Sequence, residues 1–228
     1  MPSVELIVPW RGGCEHRARA LAYLRERYLH DLDLVPVLAP GPTPWVKAEA
    51  VTPAVESSTA EVLIVADADV WAAGIPEALK AIAAGAPWAM PHRGVSRLTE
   101  DSTAQLLADP STDPETCELE ERTYRGYIGG GCAVLRRDAY FAAPLDPRFV
   151  GWGDEDFAWG RALTTLLGPP ERVRRPLLHL WHPPQPRAAR DRGSAASRAL
   201  ARRYQAAGGN PAAMQALIEE FAPCRSRA

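Results

Sequence analysis

The sequence has no apolar run approaching the ~20 residues that a membrane span needs, so no bilayer-spanning helix is expected. It has no Cys-x-x-Cys. Its four cysteines, Cys14, Cys117, Cys132 and Cys224, stand far apart, which argues against a zinc site and against a disulfide framework. Free thiols in a reducing cytoplasm are the simpler account. Charge of neither sign dominates: a net charge of −2 gives no general attraction to nucleic acid or to an anionic membrane. The arginine-rich residues 187–203 are a local exception. There is no Gly-x-Gly-x-x-Gly fingerprint, so a nicotinamide dinucleotide is not indicated. There is no internal repeat. The first apolar segment begins at about Val4 and leaves no room for a signal peptide, so a cytoplasmic location is expected.

What is there is an ordinary globular composition. With 228 residues the chain forms one large α/β domain or two small ones, and it buries roughly 70% of its unfolded surface without staples. Apolar periodicity predicts strands at 4–8, 34–38, 62–66, 88–90, 130–135 and 173–180. Helices are predicted at 14–28, 45–58 (bent near Pro53), 75–84, 102–108, 137–142, 155–167, 194–207 and 211–221. Residues 93–125 read as polar and irregular, a helix followed by a mobile loop. The β-α-β-α-β order up to residue 90 predicts a Rossmann-like parallel sheet, with a mixed α+β second half on the same sheet.

Four segments carry candidate chemistry. Val62-Leu63-Ile64-Val65-Ala66-Asp67-Ala68-Asp69 reads as a buried strand running into two acids. Ligands of open α/β sheets gather at such strand ends. If the extended geometry persists, Asp67 and Asp69 point to one side and repel unless protonated or bridged by a cation. A divalent metal holding a phosphorylated ligand is one reading, and a helix N-cap at Asp69 is another. A phosphatase of the Asp-x-Asp-x-Thr/Val type is disfavoured, because Trp71 takes the fifth position. Pro9-Trp10-Arg11-Gly12-Gly13 ends the first strand, with an arginine able to meet a phosphate or merely to sit on a turn. Gly151-Trp152-Gly153-Asp154-Glu155-Asp156 opens a helix. Helix-dipole charging explains the acids, but not the tryptophan between glycines. A ring face beside carboxylates suits a sugar. His179-Leu180-Trp181-His182 places two imidazoles at a strand end, where they either complete a metal site or serve structure.

Taken in order, these segments resemble the GT-A glycosyltransferases, most closely the β-1,4-galactosyltransferase and polypeptide N-acetylgalactosaminyltransferase-like group, over residues 4–185. The resemblance implies an α/β GT-A fold: a Rossmann-like, mostly parallel central sheet flanked by helices, with a small mixed acceptor-side half. It implies a nucleotide-sugar-binding half over 1–92, an acceptor and metal half over 93–185, and a helical extension over 186–228 packed on the same domain. Pro9, Trp10, Arg11, Trp45, Lys47, Asp67, Ala68 and Asp69 would face the nucleotide. Asp69 and His182, with Asp67 and His179, would hold Mn²⁺ or Mg²⁺. Tyr127, Gly130, Trp152 and Glu155 would border the acceptor, and Asp156 would be the base. Asp154 departs from a usual glycine and Phe157 from a common acid.

The function implied is a metal-dependent, inverting hexosyltransferase using a UDP-sugar and an acceptor that is a glycan, a protein or a small molecule. The competing expectations are a non-catalytic nucleotide-sugar or carbohydrate-binding module on the same fold, and a nucleotidyltransferase. The latter calls for a lysine after the first strand, which residues 11–19 lack.

Overall fold

The computed structural model describes residues 2–121, 128–183 and 195–222. Its centre is a six-stranded sheet of β1 (Val4–Trp10), β2 (Pro36–Pro40), β3 (Val62–Ala66), β5 (Trp88–Met90), β7 (Cys132–Arg136) and β8 (Glu171–Arg172), in the order β2-β1-β3-β7-β5-β8. β1 pairs in parallel with both β2 and β3, and β5 pairs in parallel with β8. β7 runs antiparallel between β3 and β5. A second sheet, β4-β9-β6, is built from β4 (Val70–Trp71), β6 (Gly94–Arg97) and β9 (Pro176–His179).

The apolar run of β3 is buried along its whole length because both faces of the sheet are covered. Leu63 and Val65 join one apolar layer, while Val62, Ile64 and Ala66 join the other, as the two-residue period of a strand requires. The first layer takes in α2 (Lys47–Ser57), α5 (Arg137–Ala142), α6 (Glu155–Leu167), α7 (Ala195–Ala207) and α8 (Pro211–Glu219). The second takes in α1 (Glu15–Leu32), α3 (Ile75–Ala83), α4 (Glu100–Ala108) and the smaller sheet. Buried Asp146 ties α7 to the rest, accepting from Arg148 and from the Tyr204 hydroxyl at 2.9 Å.

Several predicted boundaries move. β1 runs on through Pro9 rather than stopping there. Its register with β3 ends at Ile7, and beyond that it pairs only with β2. Pro9 therefore sits where one side of the strand is unpaired, and a missing N–H is tolerated there. The strand predicted over 173–180 shortens to β9, which belongs to the second sheet, and β8, which extends the main sheet, lies just before the predicted range. Residues 93–121 are more regular than expected. They hold β6, a longer α4 capped by the Thr99 hydroxyl, which accepts from the Ser102 N–H, and a bridge between Leu98 and Leu119. Residues 122–125 of the expected loop lie outside the described residues. No described helix is long and apolar enough to cross a membrane.

Candidate active site

The site forms where β1 and β3 end and β7 begins. The Asp67 backbone N–H donates to the Gly131 carbonyl at 2.8 Å, which fastens the acid segment to the glycine run before β7. The chain turns at Ala68 and Asp69 before entering β4. Extended geometry does not persist, and the two acids take different partners.

Asp69 is almost wholly buried, with its side chain 3% exposed. Arg17 Nε donates to its Oδ2 at 2.8 Å. His182 Nε2 lies 3.5 Å from Oδ2, and His179 Nε2 lies 3.7 Å from Oδ1. The donor atoms of Asp69, His179 and His182 lie within 4.8 Å of one another. Those imidazole–carboxylate gaps exceed a good hydrogen bond, yet are short enough for one cation to bridge. Burial raises the Asp69 carboxyl pKa, but His179, Arg17 and His182 outweigh it and hold the group below its ordinary value. Burial also lowers the pKa of His182, which favours the neutral imidazole that binds metals. His179 Nδ1 is buried without a hydrogen-bond partner among the described residues. One carboxylate and two imidazoles suit a divalent transition metal. Asp67 does not join this group.

Asp67 instead meets Lys47. This buried lysine opens α2 and donates through Nζ to Asp67 Oδ1 and to Asp156 Oδ1, each at 2.9 Å. Burial opposes its charge, but Asp156, Asp67 and Glu155 prevail and hold it protonated. Asp156 lies in the first turn of α6, its side chain 24% exposed. Burial pushes its carboxyl up, Lys47 pulls it down and Asp67 raises it again, so it stays above the usual aspartate value. Glu155 is pushed up to about 7 by burial and by Asp156, against Lys47. Its Oε2 accepts the Gly153 N–H at 2.7 Å.

The loop before α6 owes its shape to backbone freedom. Asp154 takes φ 69°, a left-handed conformation that aspartate tolerates better than most side chains, so the departure from glycine fits the geometry. Trp152 stands 54% exposed at the rim. The Gly151 N–H donates to the Trp45 carbonyl at 2.8 Å and joins this loop to the start of α2. A Cβ on Gly41 would lie 2.1 Å from the Trp45 ring, so the indole rests directly on that backbone.

A second close approach seats Asp156. A Cβ on Gly130 would lie 3.0 Å from Asp156 Oδ2, and one on Gly160 would lie 1.6 Å from the Ile128 carbonyl. The glycine run therefore packs on α6 without side chains between. Gly160→Ala is expected to cost about 1–3 kcal/mol of stability, seen as a lower urea midpoint at unchanged slope. An unchanged midpoint would mean that residues 128–130 yield freely.

These groups surround a cavity of about 510 Å³, within the range of small-molecule sites. Pro9, Trp10, Arg11, Trp45, Lys47, Asp67, Ala68, Asp69, Trp152, Glu155 and Asp156 all line it. Gly130 packs on Asp156, the two histidines flank Asp69, and Tyr127 lies outside the described residues. Sequence reasoning missed Arg17, which also lines the cavity. One signal marks it: an arginine in the first turn of a helix opposes the helix dipole, so it calls for a partner elsewhere in the fold.

No family model matches the sequence, and no curated protein does. Solved structures do. Glucosyl-3-phosphoglycerate synthase from Mycobacterium tuberculosis, in complex with Mn²⁺, UDP and phosphoglyceric acid, matches 92% of this chain and 79% of its own, at 12% identity and a TM-score of 0.54. The same enzyme with Mn²⁺, UDP-glucose and phosphoglyceric acid matches 91% and 80%, at 12% identity and a TM-score of 0.52. Drosophila β-1,4-galactosyltransferase 7, in complex with manganese, UDP-Gal and xylobiose, matches 85% and 75%, at 14% identity and a TM-score of 0.50. At such identities the likeness is one of fold, and the chain has the fold of the GT-A glycosyltransferases.

Proposed function

We propose that the chain is a divalent-metal-dependent, inverting glycosyltransferase that moves a hexosyl group from a UDP-sugar to an acceptor hydroxyl. The observation that carries this reading is one cavity lined both by Asp69, the carboxylate of a carboxylate–imidazole cluster, and by the lysine-held carboxylate of Asp156.

Asp69, His179 and His182 would hold Mn²⁺ or Mg²⁺, which supplies Lewis-acid neutralisation of the departing diphosphate. Arg11 leaves β1 at the cavity mouth, exposed and without an ion pair among the described residues, and is free to meet a phosphate. Trp10 and Trp45 border the nucleotide. Trp152 offers the acceptor sugar a flat apolar face, and Glu155 lies beside it to accept a hydroxyl. Lys47 holds Asp156 Oδ1 and leaves Oδ2 to take the acceptor proton. As the acceptor oxygen bonds to the anomeric carbon, the bond to the diphosphate breaks and its electron pair leaves with the phosphate. A single displacement with one base inverts that carbon.

A working base must be deprotonated. Activity should therefore fall on acidification through an apparent pKa above the ordinary aspartate value, the direction that burial imposes on Asp156. Lys47 lowers that pKa, so Lys47→Met should move the acid limb of kcat/KM to higher pH. A limb that stays in place or moves down would separate Lys47 from the base.

A panel of UDP- and GDP-sugars, with hydrolysis read in Mn²⁺ and in chelator, tests the function itself. Metal-dependent turnover of a UDP-sugar is expected. Failure of every donor to turn over or bind would overturn the assignment.

A further inference from the structure

We propose that Arg17 exchanges partners: it neutralises Asp69 before the cation arrives, then turns to the nucleotide's diphosphate when the cation takes Asp69. The inference rests on the metal-dependent donor site proposed above and adds a residue to it.

The first observation is where Arg17 stands. It is the third residue of α1, after Gly12 and Gly13, which have φ of 57° and 82°. It lines the cavity, and its side chain is 33% exposed. His16 packs edge-on against Trp181, with ring centroids 5.4 Å apart, so the first turn of α1 is pinned beside the histidine segment.

The second observation is how Arg17 meets Asp69. It uses Nε alone, at 2.8 Å on Oδ2, and its terminal nitrogens make no hydrogen bond among the described residues. Arginine–carboxylate pairs frequently engage through the guanidinium fork, as Arg148 does on Asp146, with Nε and its terminal nitrogen reaching both carboxylate oxygens. Arg17 leaves that fork open to the cavity. The oxygen it holds is the one that His182 Nε2 approaches at 3.5 Å. A cation shared by His182 and Asp69 therefore competes with Arg17 for Oδ2.

The third observation is charge. Among the described residues, Arg11, Arg17 and Lys47 are the cationic side chains that line the cavity. Lys47 is engaged by two carboxylates, so its charge is already met. A divalent ion beside the neutral Arg17–Asp69 pair leaves about two positive charges in excess, which a diphosphate matches. Arg17 is the cation nearest that excess with donors to spare.

The test uses the full chain and two binding measurements on Arg17→Gln. Mn²⁺ alone, followed by the EPR signal of the free ion, should bind about tenfold tighter than to wild type once a neighbouring positive charge is removed. UDP titrated calorimetrically at saturating Mn²⁺ should bind about tenfold weaker or more, the scale of one charge-assisted hydrogen bond. Arg17→Lys, which keeps the charge but not the fork, should fall between the two and provides the measurement if the glutamine variant does not fold. Weaker Mn²⁺ binding with UDP unchanged would make Arg17 a scaffold for Asp69 and overturn the exchange. No change in either would overturn it too. If wild type itself binds neither Mn²⁺ nor UDP, the proposed function fails instead, so the two failures are distinct.

Discussion

Asp156→Asn is expected to bind UDP as wild type does in calorimetry at saturating Mn²⁺, while its transfer rate falls about 10²–10⁴-fold. The amide keeps the shape of the carboxylate and can still accept from Lys47, but it cannot take a proton from an acceptor hydroxyl. Asp156 lies in the first turn of α6 and is not one of the candidate metal ligands, so that group is left intact. Lys47 keeps Asp67 as its anion, which spares the buried ammonium an unpaired state. Stability should therefore change little. Retained turnover would move the base elsewhere, and Glu155, pushed up to about 7, would be the first place to look.

Asp69→Ala is expected to abolish Mn²⁺ binding and all Mn²⁺-dependent hydrolysis or transfer. Two imidazoles without the carboxylate lack both the negative charge and the third donor atom. Arg17 loses its partner but is a third exposed, so water can solvate the guanidinium and the fold survives. The readout is free Mn²⁺ by EPR together with turnover. Unaltered activity would remove the cluster from the mechanism. Asp67→Ala provides the contrast. It takes one carboxylate from Lys47 without touching the cluster, so Mn²⁺ binding should persist.

The parts of this site that were legible in the sequence are local ones. The four apolar residues of 62–65 announced a strand buried on both faces, and the acids after it marked the rim where ligands gather. Three acids following a Gly-Trp-Gly announced the start of α6. What stayed hidden depends on contacts between distant residues. β6 carries only one large apolar residue, Val95, and is a strand because β9 lies beside it. The bond from Lys47 to Asp156 spans 109 positions, and that from Arg17 to Asp69 spans 52. The family resemblance implies that Lys47 faces the nucleotide, but only the folded chain reveals that it joins the candidate base to Asp67. The pairing of Asp67 with Lys47 was hidden for another reason. It follows from a turn at Ala68, whereas an extended continuation would have pointed both acids one way.

A divalent ion that joins this protein to a nucleotide diphosphate, as proposed, makes protection by UDP depend on the ion, which thermal unfolding of the wild-type chain reads out. A ligand that binds only the folded state raises Tm by mass action. UDP at saturating concentration should raise Tm in Mn²⁺ or Mg²⁺ and leave it unmoved in chelator, whereas equal protection by UDP with and without the ion would contradict the account.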